Sequence, residues 1–87
     1  MARPLNIIYF AWVRERLGID QEEVVLADGI ETIGDVVTLL AERGGGYADI
    51  FSDPGKLRFA LDQDYGIGAT PIGSASELAI FPPVTGG

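Results

Sequence analysis

In this 87-residue chain, three groupings have the residue types of a chemical site: Gly44-Gly45-Gly46, the carboxylates of Asp62 and Asp64, and Gly86-Gly87. The glycine triplet resembles a phosphate-cradling loop only in composition. It lacks the Lys-Ser/Thr that makes such a loop specific, and it follows a helical pattern where it should precede one. It reads as a helix stop and loop. Asp62-x-Asp64 can hold a hard cation, but two carboxylates in a turn are ordinary turn residues. With no cysteine and no histidine, disulfides, thiolate or imidazole metal sites, a thiol nucleophile and imidazole acid–base catalysis are excluded. Thirteen acidic side chains supply many possible carboxylate dyads and no apolar pocket that would tune one. No metal site and no catalytic side chain is expected.

The last grouping has a context. An apolar segment stops at Pro82-Pro83, and Val84-Thr85-Gly86-Gly87 follow. The prolines stiffen the exit and remove strand-pairing N–H groups. Two residues without a Cβ then carry an α-carboxylate that can thread a channel too narrow for any side chain. Activated in another protein's active site, that carboxylate would do chemistry with no catalytic residue in this chain. The plainer alternative is a frayed polar tail.

Composition sets the frame. The formal charge is −7, and 47% of residues are hydrophobic, as in a folded domain. Six Lys/Arg against 13 Asp/Glu make a poor binder of phosphate backbones, so no nucleic-acid partner is expected. No apolar run approaches the roughly 18–20 residues of a membrane span. Nor does the start carry an export signal, so a cytoplasmic single domain is expected.

The elements that must position the tail follow from pattern. Leu5–Phe10 is rich in β-branched and aromatic residues and reads as a strand with Pro4 just before it. Ala11–Leu17 reads as a short helical turn stopped by Gly18, and Glu22–Leu26 as a second strand. Thr32-Ile33-Gly34-Asp35 has the form of a capping box. Behind it, Ile33, Val36, Val37, Leu40 and Ala41 recur at helical spacing, giving one main helix over Ile33–Arg43. Tyr47–Lys56 reads as a loop, Leu57–Leu61 as a third strand, and Asp62-Gln63-Asp64 as a tight turn. Gly66–Ser76 is weakly patterned, and Glu77–Phe81 is the last strand. The order β-β-α-β-β gives an α+β fold, a mixed sheet of about four strands on one helix. Residues 1–81 form the domain and 82–87 a flexible tail.

Alternation along strands assigns faces. Leu5, Ile7, Leu57, Phe59, Leu61, Leu78 and Ile80 face the helix. Arg58, Ala60, Ile8, Ala79, Phe10 and Phe81 fall on the opposite, solvent side. An apolar patch with two aromatics on an open face marks an interaction surface.

At this point the chain resembles a known family, the small subunits of molybdopterin synthase, which are ubiquitin-like sulfur carriers (molybdopterin converting factor subunit 1). The resemblance lies in Phe81-Pro82-Pro83-Val84-Thr85-Gly86-Gly87, in the aromatic-Ala-x-x-Arg-Glu-x-x-Gly run of Phe10–Gly18, and in Leu61-Asp62-Gln63-Asp64-Tyr65. Three departures stand out: Asp62 where Asn is usual, Gly66 where Val is common, and Ser74-Ala75-Ser76 before the last strand.

The resemblance implies a β-grasp fold and a reaction cycle. A ubiquitin-activating-enzyme-like adenylyltransferase consumes ATP to adenylate Gly87, and a persulfide donor converts the adenylate to a thiocarboxylate. The tail, Pro82, Pro83, Val84, Thr85 and Gly86, then enters the large synthase subunit, and sulfur passes to precursor Z to build the molybdopterin dithiolene. No cofactor is bound by the chain itself, which is the sulfur-donor half of a two-subunit sulfurtransferase. Phe10, Tyr65 and Phe81 match the family's docking surface, and Arg14 a contact to the activating enzyme. A thiamine-pathway or shared sulfur carrier remains an alternative, as does a non-catalytic β-grasp binding module.

Overall fold

The computed structural model describes residues 3–83. Val84, Thr85, Gly86 and Gly87 lie outside the described residues. The elements are β1 (Arg3–Tyr9), α1 (Ala11–Leu17), β2 (Gln21–Leu26), α2 (Ile33–Ala41), α3 (Gly45–Phe51), β3 (Arg58–Leu61), β4 (Asp64–Gly66) and β5 (Glu77–Phe81). They form one five-stranded mixed sheet in the order β2-β1-β5-β3-β4. β1 and β5 run parallel at its centre, and the other neighbours are antiparallel. This is the β-grasp arrangement, with α2 gripped against one face.

The face assignment from alternation holds. Leu5, Ile7, Leu78 and Ile80 are fully buried with Ile33, Val36 and Leu40 of α2, and Tyr9, Leu57, Phe59 and Leu61 join them. Ala60, placed on the open face by parity, is buried as well. It does not belong to the core cluster; it lies on the far side, between Ala79 and Tyr65 in the strand pairing. The small side chain is covered by its neighbours there.

The capping box is present. Thr32 Oγ1 accepts from the Asp35 N–H at 3.1 Å, and Asp35 Oδ2 accepts from the Thr32 and Glu31 N–H groups. Those backbone hydrogen bonds, Glu31's first, hold the Asp35 carboxyl below the ordinary carboxylate range. The weakly patterned stretch before β5 completes this cap: Ile33 N–H donates to Thr70 O and Gly34 N–H to Gly68 O, which satisfies donors at the helix start.

Several expectations are corrected. Among the described residues the sheet has five strands rather than about four, and beside the expected helical turn α1 and main helix α2 there is a third helix, α3. The glycine triplet does not end α2, which stops at Ala41, two residues earlier than expected, with Glu42 as its C-cap; the triplet instead opens α3. The segment read as a loop over 47–56 is therefore α3 followed by a 3-10 turn at Pro54–Lys56. Two glycines at its start erase the helical propensity, and seven residues are too few to be stable alone. Packing decides instead, because Ile50 and Phe51 are buried and Tyr47 packs beside them. Their i, i+3, i+4 spacing was the available signal.

The tight turn is a two-residue hairpin loop, Asp62-Gln63, with both φ values positive (47° and 75°), as a type I′ turn requires. The unforeseen β4 follows it. Gly66 ends β4 where an added methyl group would lie 2.7 Å from Ile33 Cδ1, so a larger residue there would require the end of the Ile33 side chain to shift. β1 begins at Arg3 and includes Pro4, while Phe10 lies just beyond its end. The Asn6 N–H points toward β5, donating to Ser76 O at 2.9 Å. Pro4, with the same parity, lies before the first β5 pairing, so its missing N–H leaves no gap.

Candidate functional site

The tail leaves from the end of the sheet where β1 and β5 finish side by side. Phe10 N–H donates to Ile80 O at 3.1 Å, extending the parallel ladder by one bond. Phe81 and Phe10 thereby come together on the open face. They line a shallow hollow of about 470 Å³ with Ala11, Ala79, Pro82 and Pro83. Among the described residues nothing titratable lines it. Phe10 is 44% exposed. Ala11 lies at the start of α1 with φ 54°, a left-handed conformation that L-residues enter at a cost. Strand alternation does not reach Ala11, whose signal in the sequence is its place in the aromatic-Ala-x-x-Arg-Glu-x-x-Gly run.

Across the sheet from this hollow runs a row of paired residues, Ile8, Ala79, Ala60 and Tyr65. The Tyr65 ring is 81% exposed and lies 6.0 Å from that of Phe81, tilted by 58°. The structure therefore joins Phe10, Phe81 and Tyr65 into one apolar surface around the point where Pro82 and Pro83 leave β5. Arg14 is on α1 but not in that hollow. It lines a separate depression with Glu15, Gly18, Ile19, Asp20 and Gln21. Asp62 and Asp64 do not converge: Asp62 Oδ1 accepts from the Ser76 and Glu77 N–H groups, both at 3.0 Å, and so fastens the start of β5. Among the described residues no group of three Asp or Glu is placed to hold a metal ion.

Titratable groups do meet at one place, away from the tail. Glu22 on β2 accepts from the hydroxyls of Tyr9 (2.7 Å) and Tyr47 (2.6 Å) and pairs with Arg43 at 2.6 Å. The Arg43 guanidinium also lies 4.9 Å from the Tyr47 ring centre. Burial pushes the Glu22 carboxyl up, but the hydrogen bonds from Arg43, Tyr47 and Tyr9 outweigh it and hold the group below its ordinary value. Burial, reinforced by the hydrogen bond to Glu22, raises Tyr9 far above the ordinary tyrosine range. Each of the four side chains has a partner within the cluster, so it is a clamp joining β2 to the α2–α3 junction. No local pattern announces it, since its members are separated by as many as 38 positions.

Comparison with known proteins places these features among relatives. The model of the ThiS family matches residues 7–87. The molybdopterin synthase sulfur carrier subunit of Haemophilus influenzae is 36% identical over 83 residues, covering 95% of this chain and 99% of that protein. The subunit of the same name from Escherichia coli is 35% identical over the same shares. Among solved structures, SAMP1 from Haloferax volcanii superposes with a TM-score of 0.74 at 26% identity, over 98% of this chain and all of that one. No helix among the described residues is long and apolar enough to cross a membrane.

Proposed function

Since this chain belongs to the ThiS family, we propose that it is the sulfur-carrier subunit of a molybdopterin synthase and acts through the carboxyl group of Gly87. The observation that carries the reading is the near full-length similarity to two carriers of that name. The geometry agrees with it. A predominantly apolar hollow of Phe10, Ala11, Ala79, Phe81, Pro82 and Pro83 sits at the root of the tail, as a surface that docks while the tail is inserted requires.

The proposed chemistry uses partners for every reactive step. A Gly87 carboxylate oxygen attacks the α-phosphorus of ATP on an adenylyltransferase, and pyrophosphate leaves. The resulting mixed anhydride has AMP as a good leaving group, so the terminal sulfur of a donor persulfide adds at the Gly87 carbonyl carbon and displaces it. Reductive cleavage of the acyl disulfide by a thiol then leaves the thiocarboxylate. In the large synthase subunit this sulfur passes to precursor Z. The chain supplies recognition and a thin tail, and binds no cofactor of its own. We place the cycle in the cytoplasm, where ATP is available.

Incubation with its activating enzyme, ATP and a persulfide donor should give a mass gain of one oxygen-to-sulfur exchange, localised to Gly87. A variant lacking Gly87 should keep the fold and show no gain. An unchanged mass for the full chain with a carrier-competent enzyme would overturn the reading and leave a binding module in its place.

A further inference from the structure

The chain has a charge of −7 and only six cationic side chains. Four are engaged within the fold. Arg3 donates to the carbonyls of Ala75 and Gly73, and Arg58 to those of Gly55 and Leu57. Arg43 pairs with Glu22, and Lys56 lies near Asp53. The other two, Arg14 and Arg16, are exposed and have no side-chain hydrogen bond or ion pair among the described residues. Both are on α1. So is Trp12, an exposed tryptophan one residue from the hollow at the tail's root.

Helical spacing sorts this seven-residue segment. Val13 is buried, with Leu17 one turn on packed against the core. Trp12 and Arg16, also four apart, share a flank beside that buried seam. α1 packs on β5 and α3 and caps the end of the sheet from which Pro82 and Pro83 depart. A protein that takes in the tail therefore reaches α1 along with the hollow.

We infer that the Trp12–Arg16 flank of α1 is a second docking element, continuous with the Phe10–Phe81 hollow, which engages carboxylates beside an apolar slot on the large synthase subunit. The inference rests on the sulfur-carrier reading for the identity of that partner. Charge complementarity fixes the partner's chemistry: an arginine desolvated at an interface demands an acidic group opposite. On a carrier that is otherwise strongly acidic, the cationic side chains left unengaged among the described residues set orientation as well as attraction. Tryptophan and arginine are also the residue types that dominate binding energy when buried between proteins.

The test is the affinity of the full-length chain for the large subunit, measured by calorimetry at two salt concentrations. Trp12→Ala and Arg16→Glu should each weaken binding by about tenfold or more, with Arg16→Gln between wild type and Arg16→Glu. Thermal midpoints should barely move, since both side chains are exposed. Val25→Ser, which removes an exposed apolar residue from the distant edge strand β2, should bind as wild type. Binding by Trp12→Ala and Arg16→Glu within twofold of wild type, or tighter binding by Arg16→Glu, would overturn the inference and leave the carrier reading standing. Failure of the wild-type chain to bind the large subunit would overturn both.

Discussion

Replacing Phe81 by alanine separates docking from folding, because Phe81 sits next to the core in sequence but on the other side of the sheet. Its neighbour Ile80 is fully buried beneath the sheet, whereas Phe81 is half-buried above it, opposite Arg58 in the strand pairing. A phenylalanine removed from a packed interior costs about 3–5 kcal/mol, much of it for the cavity left behind. At Phe81 solvent fills the space, so no cavity term arises. Half of the transfer value of a phenylalanine is about 1 kcal/mol. The ring pair with Tyr65 adds at most about 0.5 kcal/mol, since Tyr65 is largely exposed. The expected loss of about 1–1.5 kcal/mol lowers the melting temperature of a domain this size by roughly 5–10 °C. The same ring lines the proposed docking hollow, where truncation of an aromatic anchor typically costs 2 kcal/mol or more, about a 30-fold loss of affinity. Thermal unfolding followed by circular dichroism and calorimetric titration with the large subunit measure the two numbers. A stability loss above about 3 kcal/mol with unchanged affinity of the folded fraction would refute the reasoning, because it would place Phe81 in the core.

Two further perturbations address what holds the carrier together. Glu22→Ala leaves the buried Tyr9 hydroxyl without its acceptor and should cost about 1–3 kcal/mol, read from urea unfolding. Because the folded-state value of Glu22 lies below its ordinary 4.5, its contribution is complete above that pH and is lost as pH falls through the folded value. The stability gap between wild type and Glu22→Gln should therefore be full at pH 7 and close in acid; a gap independent of pH would contradict the clamp. Asp62→Ala removes the acceptor for two N–H groups at the start of β5 and places alanine at positive φ, so it should destabilise by about 1–2 kcal/mol. Asp62→Asn keeps both the acceptor and the tolerance of positive φ and should unfold like wild type.

Much of the fold and part of the candidate site were written in local pattern. Alternation in Leu5–Tyr9 and Glu77–Phe81 fixed which side chains are buried, because a strand has only two faces and one of them must leave water. The same alternation places Phe10 and Phe81 on the open side. The capping box at Thr32 and Asp35 was legible for a similar reason, since its partners lie three residues apart.

What escaped is non-local. α3 has too little propensity to declare itself and exists because Ile50 and Phe51 find the core. β4 is three residues held by one hairpin turn and one neighbour, and its single aromatic points away from the core. Gly66 looks arbitrary until Ile33 from α2 is seen against it. The clamp at Glu22 gathers Tyr9, Arg43 and Tyr47 from separate elements. The joining of Tyr65 to Phe81 and the two unengaged arginines of α1 likewise appear only once the sheet order is known and every other cation has found its partner. Periodicity records which face of a single element is dry, and so the sequence by itself determined the faces of β1 and β5 and of the longest helix, α2, but neither α3 nor β4. Which elements meet is settled by packing between residues distant in the chain, and that packing made the scattered aromatics and charges into a surface.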